Sequence, residues 1–230
     1  MTKVLITGGK GILGSEIIKQ SPDSWEIHSP TRAECDITDF ISVQKTFNQI
    51  KPDLIIHAAA YVDTFGCEVN REDAIDNNII GTANLVKSAL NHTCKFVYIS
   101  SEYVFSGDKG NYSIQDKLNP KNVYGKTKAS SEYIVSILPK YQIIRMPFVR
   151  KVHTKAFKNQ YSTKHFLDVA VKELFNTIEN DPQKIVHICG KKMSIYDLYK
   201  DYGYKVIPTY MNKDHLKILP QDTSLINNQI

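Results

Sequence analysis

Val4-Leu5-Ile6-Thr7-Gly8-Gly9-Lys10-Gly11-Ile12-Leu13-Gly14 reads as a buried strand, a tight turn and the opening of a helix. Gly8, Gly11 and Gly14 let the backbone turn sharply and approach a pyrophosphate at the helix N-terminus, where N–H groups and the helix dipole favour an anion. A glycine triplet by itself is equally a turn that only packs, so the pattern that follows decides. Ile12 to Gln20 carries helical spacing, and Trp25 to His28 reads as a second strand. In Asp36-Ile37-Thr38-Asp39 the acidic residues and Thr38 can start the next helix. Pro52 to His57, Phe96 to Ser100 and Gln142 to Arg145 are further apolar runs, separated by helices expected at about Ala74 to Leu90 and Tyr124 to Leu138. Strands that alternate with helices and are apolar throughout imply a parallel sheet covered on both faces. The expected fold is α/β, a Rossmann-type doubly wound sheet.

After Arg150 the pattern changes, since Lys151 to Lys158 is polar and without clear period. A helix at about His165 to Ile178, a strand at Lys184 to Cys189 and a helix at Ser194 to Tyr202 follow, and the last residues are polar and weakly patterned. We expect a nucleotide-binding domain over 1–150 and a reduced substrate-binding annex over 151–230 that adds one more strand to the sheet. No internal repeat or low-complexity linker separates them.

Tyr124 and Lys128 stand at i and i+4, on one helix face, downstream of a strand that ends in Ser100-Ser101. In that setting an ammonium can lower the pKa of a phenol and reach a ribose hydroxyl. Ser101 can hydrogen-bond a substrate carbonyl while the phenol exchanges the proton that accompanies hydride transfer. Spacing alone means little, because Tyr196 and Lys200 repeat it without a glycine turn or a serine-tipped strand before them. That second pair reads as an ordinary surface helix. The second strand ends in Ser29-Pro30-Thr31-Arg32, where an acid would be expected for the ribose 2′-hydroxyl of NAD. Arg32 is placed to meet a 2′-phosphate, or else is a solvated loop residue; NADPH is the expected cofactor, with NADH as the alternative.

These stretches together resemble the extended short-chain dehydrogenase/reductases, and within them the dTDP-4-dehydrorhamnose reductase group. The resemblance is carried by Thr7 to Gly14, Arg32 with Asp36 to Asp39, His57-Ala58-Ala59-Ala60-Tyr61, Asn78 with Gly81, Ser100 to Phe105 and Asn122 to Lys128. Asn159 to Thr163, Val186 to Ile188 and Leu219 to Ser224 resemble its later segments more weakly. It implies that Gly11, Ile12 and Leu13 contact the pyrophosphate, that Asp36 and Ile37 flank the adenine, and that Ala58, Ala59 and Ala60 line the path to the nicotinamide. It further implies Ser101, Tyr124 and Lys128 as catalytic residues and Glu102 and Phe148 as substrate contacts, the alternatives for the last two being a strand-end acid and a core phenylalanine. Ser101 stands where the group usually has threonine and Glu102 where it has aspartate. Only Arg150 to Lys158 fills the place of a longer loop and helix, and the group's final helices are missing after Ser224, so a reduced cover over the substrate is expected.

The implied activity is NADPH-dependent reduction of the C4 keto group of a nucleotide-linked 4-keto-6-deoxy sugar. A sugar-nucleotide epimerase or dehydratase would use the same three residues, and a cofactor-binding regulatory subunit would use the groove with little chemistry. A second copy of the chain or a partner subunit is the expected protein partner.

Composition is consistent with this. The chain has 230 residues, 42% of them hydrophobic, enough for a substantial core. Its net charge of +5 is spread over single lysines and short groups such as Lys191-Lys192, which suits a phosphate-bearing small ligand better than nucleic acid. Cys35, Cys67, Cys94 and Cys189 form no Cys-x-x-Cys pair, and the seven histidines show no His-x-x-x-His spacing, so buried reduced thiols and no metal site are expected. No apolar run approaches bilayer length, and Met1-Thr2-Lys3 runs directly into a strand. A cytoplasmic protein away from the membrane is the expectation.

Overall fold

Parallel strands form the central sheet of the computed structural model, which describes residues 1–149, 151–180 and 182–227. They are β1 (Thr2–Thr7), β2 (Trp25–His28), β3 (Leu54–His57), β4 (Lys95–Ser100), β5 (Tyr141–Arg145) and Ile185–His187. Across the sheet the order is Ile185–His187, β5, β4, β3, β1, β2. The chain therefore leaves β1 toward β2 and afterwards builds on the other side from β3. Ligands of such sheets bind where that direction reverses, beyond the carboxyl ends of the strands.

Alternate strand residues point to opposite faces, and each face meets its own helices. Val4, Ile6, Leu54, Ile56, Val97, Ile99 and Ile144 pack with Leu13 and Ile17 of α1 (Ile12–Gln20). Leu5, Ile55, Phe96, Tyr98 and Ile143 pack with Val43 and Phe47 of α2 (Phe40–Ile50). With both faces buried, no position in these strands needs a polar side chain, and this explains their continuous apolar runs.

Asp39 caps α2, accepting the Ile41 N–H at 2.9 Å. Asp39 is one of the acidic residues expected to start this helix, and Thr38 beside it gives its hydroxyl to Asp36 Oδ1 at 2.8 Å. After β3 comes α3 (Thr64–Val69), capped by Asp63 and unforeseen in the sequence. The single helix expected from Ala74 is α4 (Arg71–Ile75), a π-helical turn at Asp76–Ile80 and α5 (Gly81–Ala89). After β4 and a 3₁₀ turn at Glu102–Val104 comes α6 (Val123–Val135), packed against α5.

Beyond β5 the chain forms short ladders. Phe148–Val149 pairs with His165–Phe166, Lys155–Phe157 with Ile207–Thr209, and Tyr161–Ser162 with Met193–Ser194. Helix α7 (Leu167–Asn180) returns to the sheet, where Ala170, Val171 and Leu174 join the face covered by α1. The edge of Phe175 meets the Trp25 ring at 5.3 Å. The polar segment 151–158 and the weakly patterned end thus hold a strand pair, and Lys213–Ile218 is a helix capped by Asn212. The expected boundary falls on Arg150, which lies outside the described residues. Among the described residues no helix is long and apolar enough to cross a membrane. The four cysteines are buried and free, and no His/Cys/Asp/Glu group among the described residues could hold a metal ion.

Candidate functional site

The turn after β1 depends on Gly8. Its φ of +75° is left-handed, and a Cβ there would stand 2.7 Å from the Ala59 backbone. The β1 and β3 turns can therefore lie against each other at the reversal point. Gly11 caps α1 without a side-chain acceptor, and the first turn of α1 carries no acid. Its unpaired N–H groups and positive dipole end are left to an anion.

Two adjoining cavities open there, of about 610 and 390 Å³. Both reach Gly8, Gly11, Ala58 and Ala60 and form one groove. The larger is also lined by Ala59, Arg32, Asp36 and Ile37, the smaller by Ile12, Leu13, Gly14, Phe148, Ser101, Glu102, Tyr124 and Lys128. Every site residue singled out in the sequence lies on one wall or the other. Arg32 is largely exposed, with Nε 3.2 Å from Asp36 Oδ2. The acid absent from the strand tip is thus supplied four residues later. Burial raises the Asp36 pKa, but hydrogen bonds from Thr38 and Arg32 outweigh this and hold it below the usual carboxylate value.

At the inner end of the smaller cavity, Asn122 caps α6 by accepting the Gly125 N–H at 2.7 Å. A Cβ on Gly125 would collide with the Tyr103 carbonyl oxygen. Glycine here lets α6 close on the turn 102–104, and the Tyr103 and Tyr124 rings meet edge-on at 6.1 Å. Lys128 is buried, donates to the Ile99 carbonyl at 2.7 Å and lies 4.1 Å above the Tyr98 ring. Burial lowers its pKa to about 7, against the opposing pull of the Glu132 carboxylate. Ser101 Oγ donates to Glu102 Oε2 at 2.8 Å and accepts the Tyr103 N–H at 3.2 Å.

Several supporting residues have no role assigned from the sequence, although Asn78 and His57 are among those that carry the resemblance. Asn78, in the π turn, accepts the Tyr61 N–H at 2.7 Å and donates to Tyr61 O at 3.0 Å and Thr127 Oγ1 at 2.9 Å. It thereby fixes the β3 turn to α6; π turns recur at functional sites. Glu132 and Arg145 form a bidentate buried pair at 2.8 and 3.0 Å, with Ser100 Oγ on the same carboxylate. Lys164, from the annex, enters the smaller cavity and pairs with Glu102 at 3.0 Å. Its only sequence hint is that it follows the Asn159 to Thr163 segment. His57 sits between the Thr7 and Thr82 hydroxyls, and burial keeps it neutral with a pKa of about 3.

The profile of the RmlD substrate-binding-domain family matches residues 1–172. The chain belongs to this family. A dTDP-4-dehydrorhamnose reductase of Aggregatibacter actinomycetemcomitans is 35% identical to this RmlD-family chain over 149 residues, 63% of the chain and 51% of that protein. A methionine adenosyltransferase 2 subunit beta of Xenopus tropicalis is 33% identical over 141 residues, 58% of the chain and 42% of that protein. The chain thus spans about half the length of the curated relatives it matches. Among solved structures, a dTDP-4-dehydrorhamnose reductase of Clostridium acetobutylicum superimposes with a TM-score of 0.87 and 29% identity, over 98% of the chain and 90% of that structure. One from Bacillus anthracis, solved in complex with NADP, shares the fold at a TM-score of 0.89 and 24% identity, over 99% and 91%. Likeness of fold therefore reaches well past the residues matched by the RmlD profile.

Proposed function

We propose that this RmlD-family chain is an NADPH-dependent reductase of the C4 keto group of a nucleotide-linked 4-keto-6-deoxy sugar. The observation that carries the reading is one continuous groove with an uncapped helix N-terminus and Arg32 in its outer part and Ser101, Tyr124 and Lys128 in its inner part. These residues fit a dinucleotide: the first turn of α1 would hold the pyrophosphate, Asp36 and Ile37 the adenine end, Arg32 a 2′-phosphate, and Ala58 to Ala60 the path inward. A reduced nicotinamide bound there supplies a hydride. Tyr124 delivers the proton to the carbonyl oxygen, and Ser101 steadies that oxygen once its hydroxyl turns from Glu102. Lys128, protonated, favours the phenolate that remains and reaches the ribose. Phe148 and Glu102 contact the sugar.

The test mixes the protein with NADPH and several 4-keto-6-deoxy sugar nucleotides and follows nicotinamide absorbance. Net, substrate-dependent oxidation of NADPH is expected; an epimerase or dehydratase would regenerate its cofactor and consume none. The identity with relatives named as a subunit beta favours a second reading, a regulatory subunit that keeps the groove and performs little chemistry. Tight cofactor binding with no sugar reduced at any protein concentration would replace the first reading with the second.

A further inference from the structure

Lys164 and Glu102 are separated by 62 residues, yet Nζ stands 3.0 Å from Oε1 on the wall of the smaller cavity. The carboxylate is almost fully buried and the lysine side chain is 23% exposed, so the pair faces the cavity from the lysine side. The backbone that launches Lys164 is clamped. Gly190 N–H donates to Thr163 O at 2.8 Å, His165 N–H to Pro147 O at 3.1 Å, and Leu225 N–H to Thr163 Oγ1 at 3.1 Å. A long side chain on a fixed base loses less freedom on meeting a ligand than one on a mobile loop.

Each partner keeps capacity for a ligand. An ammonium has three donors and a carboxylate about four lone-pair sites. Lys164 spends one donor on Glu102, and Glu102 spends one oxygen on Lys164 and the other on Ser101. Donors and acceptors are left side by side, next to the serine that meets the reacting carbonyl in the proposed reduction. The lysine also neutralises Glu102, so the cavity does not repel a diphosphate.

We propose that Lys164 is a specificity-determining residue that, together with Glu102, reads two adjacent oxygens of a pyranose ring. One hydroxyl donates to Glu102 while its neighbour accepts from Lys164. The ligand class is a nucleotide sugar with a free vicinal diol, and a sugar lacking either hydroxyl leaves a charged group of the pair unserved. This rests on the reading that the smaller cavity receives the sugar.

The experiment titrates the full chain, saturated with NADP, with a nucleotide sugar bearing the diol and with its matched deoxy analogue. A parallel assay records KM and kcat with the corresponding 4-keto sugars. The unmutated protein should prefer the diol by about tenfold or more, the worth of one charge-assisted hydrogen bond. Lys164→Met should bring that preference to within about twofold, with KM raised, kcat nearly unchanged and cofactor affinity unaltered. Because that variant leaves a buried carboxylate unpaired, the double variant Lys164→Met/Glu102→Gln is measured beside it and should lose the preference as well. An unchanged preference, or equal weakening of both sugars, would overturn the inference. Diol-dependent, Lys164-dependent binding without NADPH consumption would sink the reductase reading and leave this one standing. A chain that binds neither sugar would refute both.

Discussion

Tyr124 with Lys128 and Tyr196 with Lys200 share one spacing, and the two stretches differ in what their helices rest on. Helix α6 has 13 residues, abuts β4, and buries Lys128 between the Ile99 carbonyl and the Tyr98 ring. The helix Ile195–Asp201 has seven residues, lies on the annex strand Lys155–Phe157, and leaves Lys200 exposed. Its tyrosine packs against the annex cluster of Val149, Ala156, Leu198 and Tyr199, with the Lys158 ammonium 5.1 Å above the ring. One turn beyond Lys128 stands Glu132, in a buried ion pair; the equivalent offset from Lys200 is Tyr204, stacked on Phe166. A central strand and a desolvated partner turn a spacing into a site, because only a buried ammonium has its charge and position set by its neighbours.

The contrast breaks most sharply at the tyrosines. Tyr124→Phe should lower turnover by roughly 10²–10⁴-fold, the usual worth of a positioned proton donor, with cofactor binding retained, whereas Tyr196→Phe should leave the rate unchanged. Steady-state kinetics of the two variants decide it, and similar rates would erase the distinction.

Glu132 is the next point of attack. Glu132→Ala strands the Arg145 charge in a side-chain environment only 3% exposed, which costs about 3–5 kcal/mol. Thermal unfolding should fall by on the order of 10 °C, while Tyr204→Ala in the annex should shift it far less. A Glu132 variant as stable as the parent would show that the pair does not hold α6 to β5.

Lys128 offers a test through pH. Its folded pKa of about 7 lies below the ordinary lysine value of 10.5, so above pH 7 the unfolded chain binds the extra proton. Stability therefore gains from this residue as pH rises from about 7 toward 10.5. Measurements are best kept below pH 8.5, because the buried thiols of Cys67, Cys94 and Cys189, whose pKa values rise to about 11, oppose the trend from about pH 9. Lys128→Met should flatten the rise in unfolding free energy between pH 7 and 8.5, and Lys200→Met should not.

The smallest effect belongs to the outer groove. Arg32→Ala should weaken NADPH binding by roughly tenfold, since a charge-assisted contact contributes about 1.5–3 kcal/mol, and should change NADH binding little. Asp36, 3.2 Å away, limits that gain. Equal affinities of the unmutated protein for the two cofactors, by fluorescence titration, would show that the carboxylate cancels the guanidinium.

Sequence alone determined what is written over short spans. The Gly8 to Gly14 turn, the apolar strands and the order of strands and helices follow from backbone sterics and from periodicities of two and 3.6, which neighbours in the chain suffice to express. Those features lead to the parallel sheet and to the groove at its point of reversal. The Tyr-x-x-x-Lys spacing is equally local, and its meaning was readable only with the strand before it. The tertiary structure decided what depends on distant partners: Asn78 joining Tyr61 to Thr127, Glu132 meeting Arg145, and Lys164 on Glu102. It also found strands in the polar segment 151–158 and at 207–209, where pairing with each other replaces a hydrophobic pattern. Local propensity has no access to such pairs. Their energy comes from desolvation and geometry that exist only once the sheet has brought the segments together.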